Sequence, residues 1–426
     1  MALVVLGDQF GDTGKGKLVD YLCHHKNIQI CIRNNGGANA GHTVTTNTDE
    51  THKLHLLPCG VLNPDCKLVI GAGTVIDPIR LHEEISKYDV TNRLYISTEA
   101  HLVHDIYKTQ DIDNDAILGI GTTGQGIGTT YAAKMLRYGL RAGDLFDKTK
   151  FAKKYATMLK MTQQSTIDNV ISSDEFFSIC EFMIPFITTD LPFFLIDKLL
   201  TSSYQRDLVA VIETAHSQML DINHGTYPYV TSSSCDIGGV LSGLGIPPQA
   251  IKSSIMVTKI YSTRVGNGPF ITELKDTELV KHIQNVGHER GATTGRLRRV
   301  GWLDLPILVR GLRMNGCTEV ALMKFDLLKE FSEIKFCDYY YNPNTGDIQY
   351  EYVNYEDDEY LPHYVSFPIS SDTDISTFRK ISHVTKYPFL SNILNFLQDY
   401  LRARCNSRII YIGVGPRREQ IIDFSI

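Results

Sequence analysis

Short runs of apolar residues recur along the chain, and each run stops at small, polar or turn-forming residues. The runs are ALVVLG (2–7), KLVIGAG (67–73), LVAVIET (208–214), EVALMKFD (319–326) and RIIYIGVGP (408–416). Runs without polar alternation are typical of strands that are covered on both faces, as in a parallel sheet flanked by helices. The pattern therefore predicts an α/β fold with a mostly parallel central sheet.

The residues that follow these runs predict where a site lies. In open α/β sheets ligands bind beyond the carboxyl ends of the strands, and polar residues cluster there in this chain. No linker, repeat or shift in composition divides the sequence, which favours a single domain over residues 1–426. The apolar segment 178–200 is interrupted by prolines and an aspartate, so we expect a buried helix rather than a membrane span. The segment 337–375 is rich in tyrosine and acids, which predicts a hairpin and an exposed loop.

Composition narrows the class of partner. The chain has 43% hydrophobic and 21% charged residues and a formal net charge of −6, which indicates a globular protein without the basic surface that nucleic acids or anionic membranes require. We therefore expect small-molecule ligands. The nine cysteines are scattered without a Cys-x-x-Cys pair, which predicts reduced thiols in a cytoplasmic protein. The N-terminus enters an apolar run at once, so we expect no export signal.

The strongest motif is the phosphate loop GDQFGDTGKGK, residues 7–17. Gly11, Gly16 and Lys17 match the Gly-x4-Gly-Lys spacing, in which glycines let backbone amides surround phosphate oxygens. Leu18 stands where a hydroxyl would otherwise bind Mg²⁺, and a carboxylate, Asp12, lies inside the loop. The alternative interpretation is a flexible turn between a strand and a helix.

Two further glycine-rich segments favour contact with phosphate groups. In RNNGGANAGHTV (33–44), two glycines bring Asn39, Gly41 and His42 into one turn, which suits a transferring phosphoryl group and a metal ion. In the segment 120–147, glycines and two threonines precede a helical stretch on which Arg137 and Arg141 are expected to share one face. A glycine-rich turn followed by a solvated basic helix is the alternative.

Two motifs in the second half of the chain favour recognition of a carboxylate and of a base. The arginine loop GATTGRLRR (291–299) places threonines beside three arginines, and guanidinium groups bind carboxylates through two parallel hydrogen bonds. An ordinary basic loop is the alternative. In MKFD (323–326), Lys324 and Asp326 follow a predicted strand, and a carboxylate there would accept hydrogen bonds from guanine N1 and its 2-amino group.

Together these motifs resemble the adenylosuccinate synthetase family, in the same order along the chain from Val4 to about Arg418. They are GDTGKGK, GGANAGHT, IGTTGQGIG, DINHGTYPYVTSS, YSTRVGNGPF and GATTGRLRR, and the resemblance is weakest over 337–400. It implies a P-loop-NTPase-like α/β domain with small hairpins, which ligates L-aspartate to IMP with GTP through 6-phosphoryl-IMP in purine biosynthesis. It also implies Mg²⁺ as the cofactor and a homodimer in which Arg137 reaches the neighbouring site.

The resemblance also implies the role of each matching residue. Asp12 would take the N1 proton of IMP, His42 and Lys15 would assist phosphoryl transfer, and Asp12 and the Gly41 carbonyl would bind Mg²⁺. The residues implied for GTP are Gly11, Gly14, Gly16, Lys17, Gly41, Thr43, Lys324, Asp326, Gly415 and Pro416. Those for IMP are Asn39, Thr123, Arg137, His216, Thr231 and Arg296, and those for L-aspartate are Thr293, Thr294, Arg296 and Arg298.

The chain departs from the family pattern at several positions. These are Phe10 for a usual Trp, Thr13 for Glu, Gln125 for Arg, Leu297 for Arg and His216 for Gln. A neutral imidazole offers one donor and one acceptor where an amide offers two donors, so His216 leaves open a paralogue that acts on another oxo-purine nucleotide such as dGMP. A non-catalytic nucleotide-binding regulator is the third hypothesis. Asp12 and Lys324-x-Asp326 favour IMP and GTP, because related phage enzymes that aminate dGMP change this aspartate.

Overall fold

The structure is a computed structural model that describes residues 1–162, 170–200, 207–291, 295–352, 359–369 and 373–424. Its strands are β1 (Ala2–Gly7), β2 (Ile30–Arg33), β3 (His42–Thr45), β4 (Thr51–Leu54), β5 (Lys67–Ile70), β6 (Val75–Ile76), β7 (Leu94–Ser97), β8 (His101–Leu102), β9 (Ile187–Thr188), β10 (Ala210–Glu213), β11 (Ile251–Lys259), β12 (Tyr261–Arg264), β13 (Arg299–Asp304), β14 (Glu319–Met323), β15 (Glu333–Tyr341), β16 (Ile348–Gln349), β17 (Leu361–Pro368), β18 (Arg408–Gly413) and β19 (Ile421–Asp423).

The α-helices alternate with these strands along most of the chain. They are α1 (Lys15–His25), α2 (Pro78–Ile85), α3 (Asp105–Leu118), α4 (Ile127–Met135), α5 (Lys148–Met161), α6 (Ser173–Cys180), α7 (Leu191–Leu200), α8 (Ile237–Leu244), α9 (Thr277–Val286), α10 (Leu305–Asn315), α11 (Ile381–Thr385) and α12 (Pro388–Cys405).

A ten-stranded sheet forms the centre of the fold. Its order is β19-β18-β14-β11-β1-β10-β2-β5-β7-β9, and every neighbouring pair is parallel except β18 with β19. All six residues of β1 and all four of β10 are buried, because helices cover both faces of these central strands. The α/β fold with a mostly parallel sheet is thereby confirmed.

The five apolar runs form five strands of this sheet, namely β1, β5, β10, β14 and β18. The last three residues of KLVIGAG and the KFD of EVALMKFD lie beyond their strands. β14 ends at Met323, because Lys324 adopts a left-handed backbone (φ 62°) and a 3-10 helix spans Phe325–Glu330. The early end of β14 places Lys324 and Asp326 at the carboxyl edge of the sheet.

Two expectations about helices were wrong. The segment 178–200 is not one helix: α6 ends at Cys180, a 3-10 helix containing Pro185 follows, and β9 joins the sheet edge before α7 begins. Arg137 and Arg141 do not share a helix face, because α4 ends at Met135 and Arg137 has a left-handed backbone (φ 68°). Among the described helices, none is both long and apolar enough to cross a membrane.

The segment 337–375 forms the predicted hairpin. β15 pairs antiparallel with β16 across the turn at 342–347, and β17 returns along β15. Residues 353–358 and 370–372 of this segment lie outside the described residues. The assignment of residues 1–426 to a single domain stays a prediction.

Candidate functional site

One large cavity lies at the carboxyl ends of the central strands. Its volume is about 980 Å³, and it is lined by segments that follow β1, β10, β14 and β18, where open α/β sheets bind ligands. Nineteen site residues predicted from the sequence line it: Gly11, Asp12, Gly14, Lys15, Gly16, Lys17, Asn39, Gly41, His42, Thr43, Thr123, His216, Thr231, Arg296, Arg298, Lys324, Asp326, Gly415 and Pro416. Thr293 and Thr294 lie outside the described residues.

The phosphate loop leads from β1 into the N-terminus of α1. Gly14 is the N-cap of α1 with φ of 90°, a backbone conformation that glycine adopts without the steric cost of a Cβ atom. No side chain caps this helix end. Its free backbone N–H groups and the positive end of the helix dipole therefore face the cavity as an anion site.

Both lysines of the phosphate loop bond to backbone carbonyl groups. Lys15 Nζ donates to the carbonyl of His216. Lys17 Nζ donates to the carbonyls of Gly415, at 2.5 Å, and Gln420, at 2.7 Å, and so ties α1 to the segment after β18. Burial lowers the pKa of Lys15 to about 8, although Asp12 opposes the shift, and burial lowers the pKa of Lys17 to about 7. An incoming phosphate would stabilise the charged form of both.

His42 is oriented by a buried glutamate. Its Nδ1 bonds to Glu213 Oε1 at the end of β10, while the backbone N–H of Cys59 donates to Glu213 Oε2 at 2.9 Å. Burial alone raises the pKa of Glu213, but the charges of His42 and Arg33 outweigh burial and lower this pKa to about 2. Burial lowers the pKa of His42, and Glu213 opposes this shift. The carboxylate therefore fixes the imidazole with Nδ1 as the donor, which leaves Nε2 for proton exchange.

Asp12 takes part in a chain of buried charges. Arg298 Nε donates to Asp12 Oδ2 at 2.9 Å, and Arg298 Nη1 donates to Glu289. Glu289 also accepts from Lys259 at 3.0 Å and from the Tyr261 hydroxyl at 2.5 Å. Burial alone raises the pKa of Glu289, but the charges of Lys259 and Arg298 outweigh burial and lower this pKa to about 2. Glu289 therefore holds the guanidinium of Arg298 beside Asp12.

Residues predicted to contact one nucleotide also contact each other. Asn39 Nδ2 donates to Thr231 Oγ1 at 3.3 Å, which joins the segment before β3 to the DINHGTYPYVTSS motif. Arg296 Nη2 donates to the carbonyl of Gly121 at 2.9 Å, which links the arginine loop to the glycine-rich segment that contains Thr123. The tertiary structure therefore brings these four distant motifs to one wall.

Asp326 has an unsatisfied oxygen near the far end of the cavity. Its Oδ1 is buried and has no hydrogen-bond partner among the described residues. Lys324 Nζ donates to the carbonyl of Gly287 at 2.8 Å. Burial raises the pKa of Asp326, while Lys324 and Lys17 oppose the shift. A buried acceptor without a partner costs free energy, so this position favours a ligand that brings N–H donors.

His216 lines the cavity with a neutral imidazole. Its backbone is left-handed (φ 58°), which directs its carbonyl group to Lys15. Burial and the positive charges of Lys15 and Arg33 lower the pKa of His216 to about 3. Its Nε2 atom is buried without a hydrogen-bond partner among the described residues. The side chain therefore acts as an uncharged wall of the site near neutral pH.

Two arginines lie outside this cavity. Arg299 was grouped with Arg296 and Arg298 as a carboxylate ligand, but it begins β13 and forms two hydrogen bonds to Glu273, at 2.8 and 2.6 Å. Strand alternation turns its side chain to the opposite side. Arg137 is exposed and lines a second cavity of about 360 Å³. The structure of one chain therefore does not bring Arg137 to the site.

Three functional positions were absent from the sequence prediction. Glu213, Glu289 and Lys259 are each buried and line or support the cavity through ion pairs. Glu213 lies within the apolar run LVAVIET, and a carboxylate inside such a run is the signal that indicates it. Lys259 and Glu289 belong to no motif with a known spacing, and only the tertiary structure pairs them.

Comparisons with known proteins agree along the whole chain. A family model described as adenylosuccinate synthetase matches residues 4–422. The chain is 38% identical over 439 residues to the adenylosuccinate synthetase of Pelodictyon phaeoclathratiforme, with 99% of this chain and 97% of the relative covered. The fully ligated adenylosuccinate synthetase of Plasmodium falciparum is similar at a TM-score of 0.90 and 36% identity, over 99% of both chains. The cyanophage S-2L succinoaminodeoxyadenylate synthetase, bound to dGMP and dATP, shares the fold at a TM-score of 0.64 and 19% identity, over 100% of this chain and 95% of that one.

Proposed function

The chain belongs to the adenylosuccinate synthetase family, and on that premise we propose that it ligates L-aspartate to IMP with GTP as the energy donor. The observation that carries the proposal is the single cavity that joins the phosphate loop, Asp12, His42, Arg298 and Asp326. These groups supply a base, an acid, a carboxylate ligand and a guanine acceptor within one cavity.

The chemistry has two steps in this site. Asp12 takes the proton from N1 of IMP, so that O6 attacks the γ-phosphorus of GTP and GDP leaves. In its protonated form His42, held at Nδ1 by Glu213, donates a hydrogen bond from Nε2 to the transferring phosphoryl group and then gives that proton to the departing phosphate. The amine of L-aspartate attacks C6 and displaces phosphate, which is a far better leaving group than an oxo group. The amine loses one proton as the C–N bond forms, this proton returns His42 to its protonated form, and the product is adenylosuccinate.

The donors beside the phosphate loop fit Mg²⁺. The Asp12 carboxylate and the Gly41 carbonyl line the same cavity, and hard divalent cations prefer such oxygen ligands. Asp12 is one-quarter exposed, at 26%, so its carboxylate is accessible from the cavity. When bound, the ion would neutralise phosphate charge. Asp12 would then exchange Arg298 for the cation, and Arg298 would become available to the carboxylate of L-aspartate.

The alternative hypotheses differ in which purine nucleotide the protein uses and in whether it catalyses a reaction. The alternative of a paralogue that uses dGMP rests on His216 in the cavity wall. The cyanophage enzyme of the same fold was solved with that nucleotide. Phosphate release should be measured with GTP and L-aspartate, in parallel with IMP and with dGMP. Turnover with IMP is expected. Turnover with dGMP alone would replace the proposal by the paralogue, and no turnover with either would favour a nucleotide-binding regulator.

Asp326 provides a test of the nucleotide donor. We expect Asp326→Asn to reduce the preference for GTP over ATP by about 10-fold or more, because a good bidentate contact to a base contributes about 1–3 kcal/mol of discrimination. The measurement is kcat/KM for GTP and for ATP. Glu330→Gln is the matched control, since Glu330 ends the same 3-10 helix outside the cavity. An unchanged preference in Asp326→Asn would show that the base binds elsewhere.

An exposed apolar surface supports a homodimer. Ile117 and Leu118 at the end of α3 are 84% and 63% exposed, and Met135 and Leu136 at the end of α4 are 72% and 61% exposed. Exposed large apolar groups of this kind mark interaction sites, and Arg137 directly follows Met135 and Leu136 in the chain. We propose that a second copy covers this surface and receives Arg137 into its IMP site. The free thiols of all nine cysteines fit a reducing cytoplasmic location, which we also propose.

Mixing two inactive variants tests whether the sites are shared. In a mixed dimer of Arg137→Ala and Asp12→Ala chains, one of the two sites has both an intact Asp12 and an intact Arg137 from its neighbour. After random exchange, half of the dimers are mixed, so we expect about one quarter of wild-type activity per chain. Each variant alone serves as the control. Activity that never exceeds that of the separate variants would show that Arg137 does not act across an interface.

A further inference from the structure

Three buried side chains beneath the phosphate loop can bind a metal ion. His42 Nδ1, Cys59 Sγ and Glu213 Oε1 all lie within 4.8 Å of one another, and all three residues are buried. The thiol of Cys59 has no step in the proposed reaction of IMP with L-aspartate. Its environment therefore requires a separate explanation.

The spacing of Cys59 Sγ and Glu213 Oε1 matches a tetrahedral zinc site, whereas His42 Nδ1 is hydrogen-bonded to the same Oε1 and would move away from it as the ion replaces the proton. Cys59 Sγ is 3.4 Å from Glu213 Oε1. Zn–N and Zn–S distances of about 2.0 and 2.3 Å put neighbouring tetrahedral donors about 3.3–3.7 Å apart. Glu213 Oε2 is occupied by the backbone N–H of Cys59 at 2.9 Å, so the carboxylate would bind through Oε1 alone.

The cluster borders the main cavity on the side of His42. His42 lines that cavity, and the backbone of Gly16 passes directly over the cluster, because a Cβ atom on Gly16 would lie 3.0 Å from His42 Cβ and 3.1 Å from Cys59 Sγ. A water molecule from the cavity can fill the fourth position of the ion. Three protein ligands and one water form the usual open zinc geometry.

Charge and ligand type decide which ion fits. Arg33 Nη1 lies 3.5 Å from Glu213 Oε1 and opposes a cation. The carboxylate and a thiolate together offset a divalent charge, and a set of S, N and O donors selects Zn²⁺ over Mg²⁺. With Arg33 so close and only three protein ligands, we expect weaker binding than in a structural site with four protein ligands.

We propose that His42, Cys59 and Glu213 form an inhibitory site for Zn²⁺. On binding, the thiol of Cys59 releases its proton to solvent, and the imidazole proton of His42 moves from Nδ1 to Nε2. The ion takes the places of both protons beside Glu213. His42 then can no longer use Glu213 to exchange a proton at Nε2, so phosphoryl transfer stops.

Cobalt titration tests the binding independently of activity. Co²⁺ added to the reduced chain should bind at one equivalent and give a thiolate-to-cobalt charge-transfer band, which Zn²⁺ displaces. Cys59→Ser should lose the band, since serine keeps the size and hydrogen bonding of the side chain without the sulfur. Cys23 contacts Cys31 and Cys66 and is not one of the three proposed ligands, so Cys23→Ala is the control and should keep the band. A band that persists in Cys59→Ser, or disappears in Cys23→Ala, would overturn the proposal.

Inhibition is the second measurement, and it rests on the proposed function. With IMP, L-aspartate and excess Mg²⁺-GTP, micromolar Zn²⁺ should inhibit the wild type reversibly, and a chelator should restore the rate. Measured relative to each protein's own uninhibited rate, the inhibition constant should rise by at least about 10-fold in Cys59→Ser. Equal inhibition of the wild type and of Cys59→Ser would overturn the proposal that Zn²⁺ at this site inhibits the enzyme. If the protein shows the cobalt band but does not join L-aspartate to IMP, the proposed enzymatic function is refuted and the proposed metal site stands.

Discussion

Asp12→Ala is expected to lower kcat by about 10³- to 10⁴-fold while GTP still binds. The variant removes the group that accepts the N1 proton and that contributes a ligand to Mg²⁺. GTP affinity should persist because the substitution leaves the backbone N–H groups at the N-terminus of α1 and the Asp326 carboxylate in place. Single-turnover phosphate release measures the chemical step, and calorimetry with a non-hydrolysable GTP analogue measures binding.

Asp12→Asn separates the catalytic role of Asp12 from a structural one. The amide oxygen can still accept from Arg298 Nε, the bond that spans 2.9 Å in the structure, but the amide cannot take a proton. Both variants should therefore be equally inactive. If Asp12→Asn kept near-normal turnover, holding Arg298 would be the only function of this side chain, and the base would have to be sought elsewhere.

Glu213→Gln is expected to have the second largest effect, on both activity and stability. An amide can no longer balance the proton that His42 carries, so kcat should fall by about 10²- to 10⁴-fold. Arg33 is fully buried, and its Nε and Nη2 atoms have no partner among the described residues. Loss of the carboxylate leaves this guanidinium uncompensated, at a cost of about 3–5 kcal/mol in the free energy of unfolding.

An exposed pair of the same chemistry provides the control for Glu213. Glu50 Oε1 lies 3.6 Å from His52 Nε2, and Glu50 is 69% exposed. Glu50→Gln should change neither kcat nor the midpoint of urea unfolding, because exposed pairs contribute little. Activity should be normalised to the folded fraction measured by near-UV circular dichroism. A Glu213→Gln protein that unfolds normally and retains most of its kcat would show that His42 needs no orienting carboxylate.

The sequence alone determined the class of fold and predicted most of the residues that line the main cavity. Unbroken apolar runs predicted five central strands, because a strand covered by helices on both faces has no polar alternation. Short glycine motifs identified the phosphate loop and the His42 turn, since their backbone conformations and spacing depend on consecutive residues. Nineteen of these predicted residues share one cavity.

The tertiary structure decided which charges face each other. Glu213 meets His42 across 171 positions of the chain, and Arg298 meets Asp12 across 286. No local pattern encodes such pairs, because they depend on the order of strands in the sheet and on the loops that cross its carboxyl edge. For the same reason the sequence did not show that Arg299 lies outside the site, where the start of β13 turns it to Glu273. Nor did it show that Arg137 lies on the surface of its own chain.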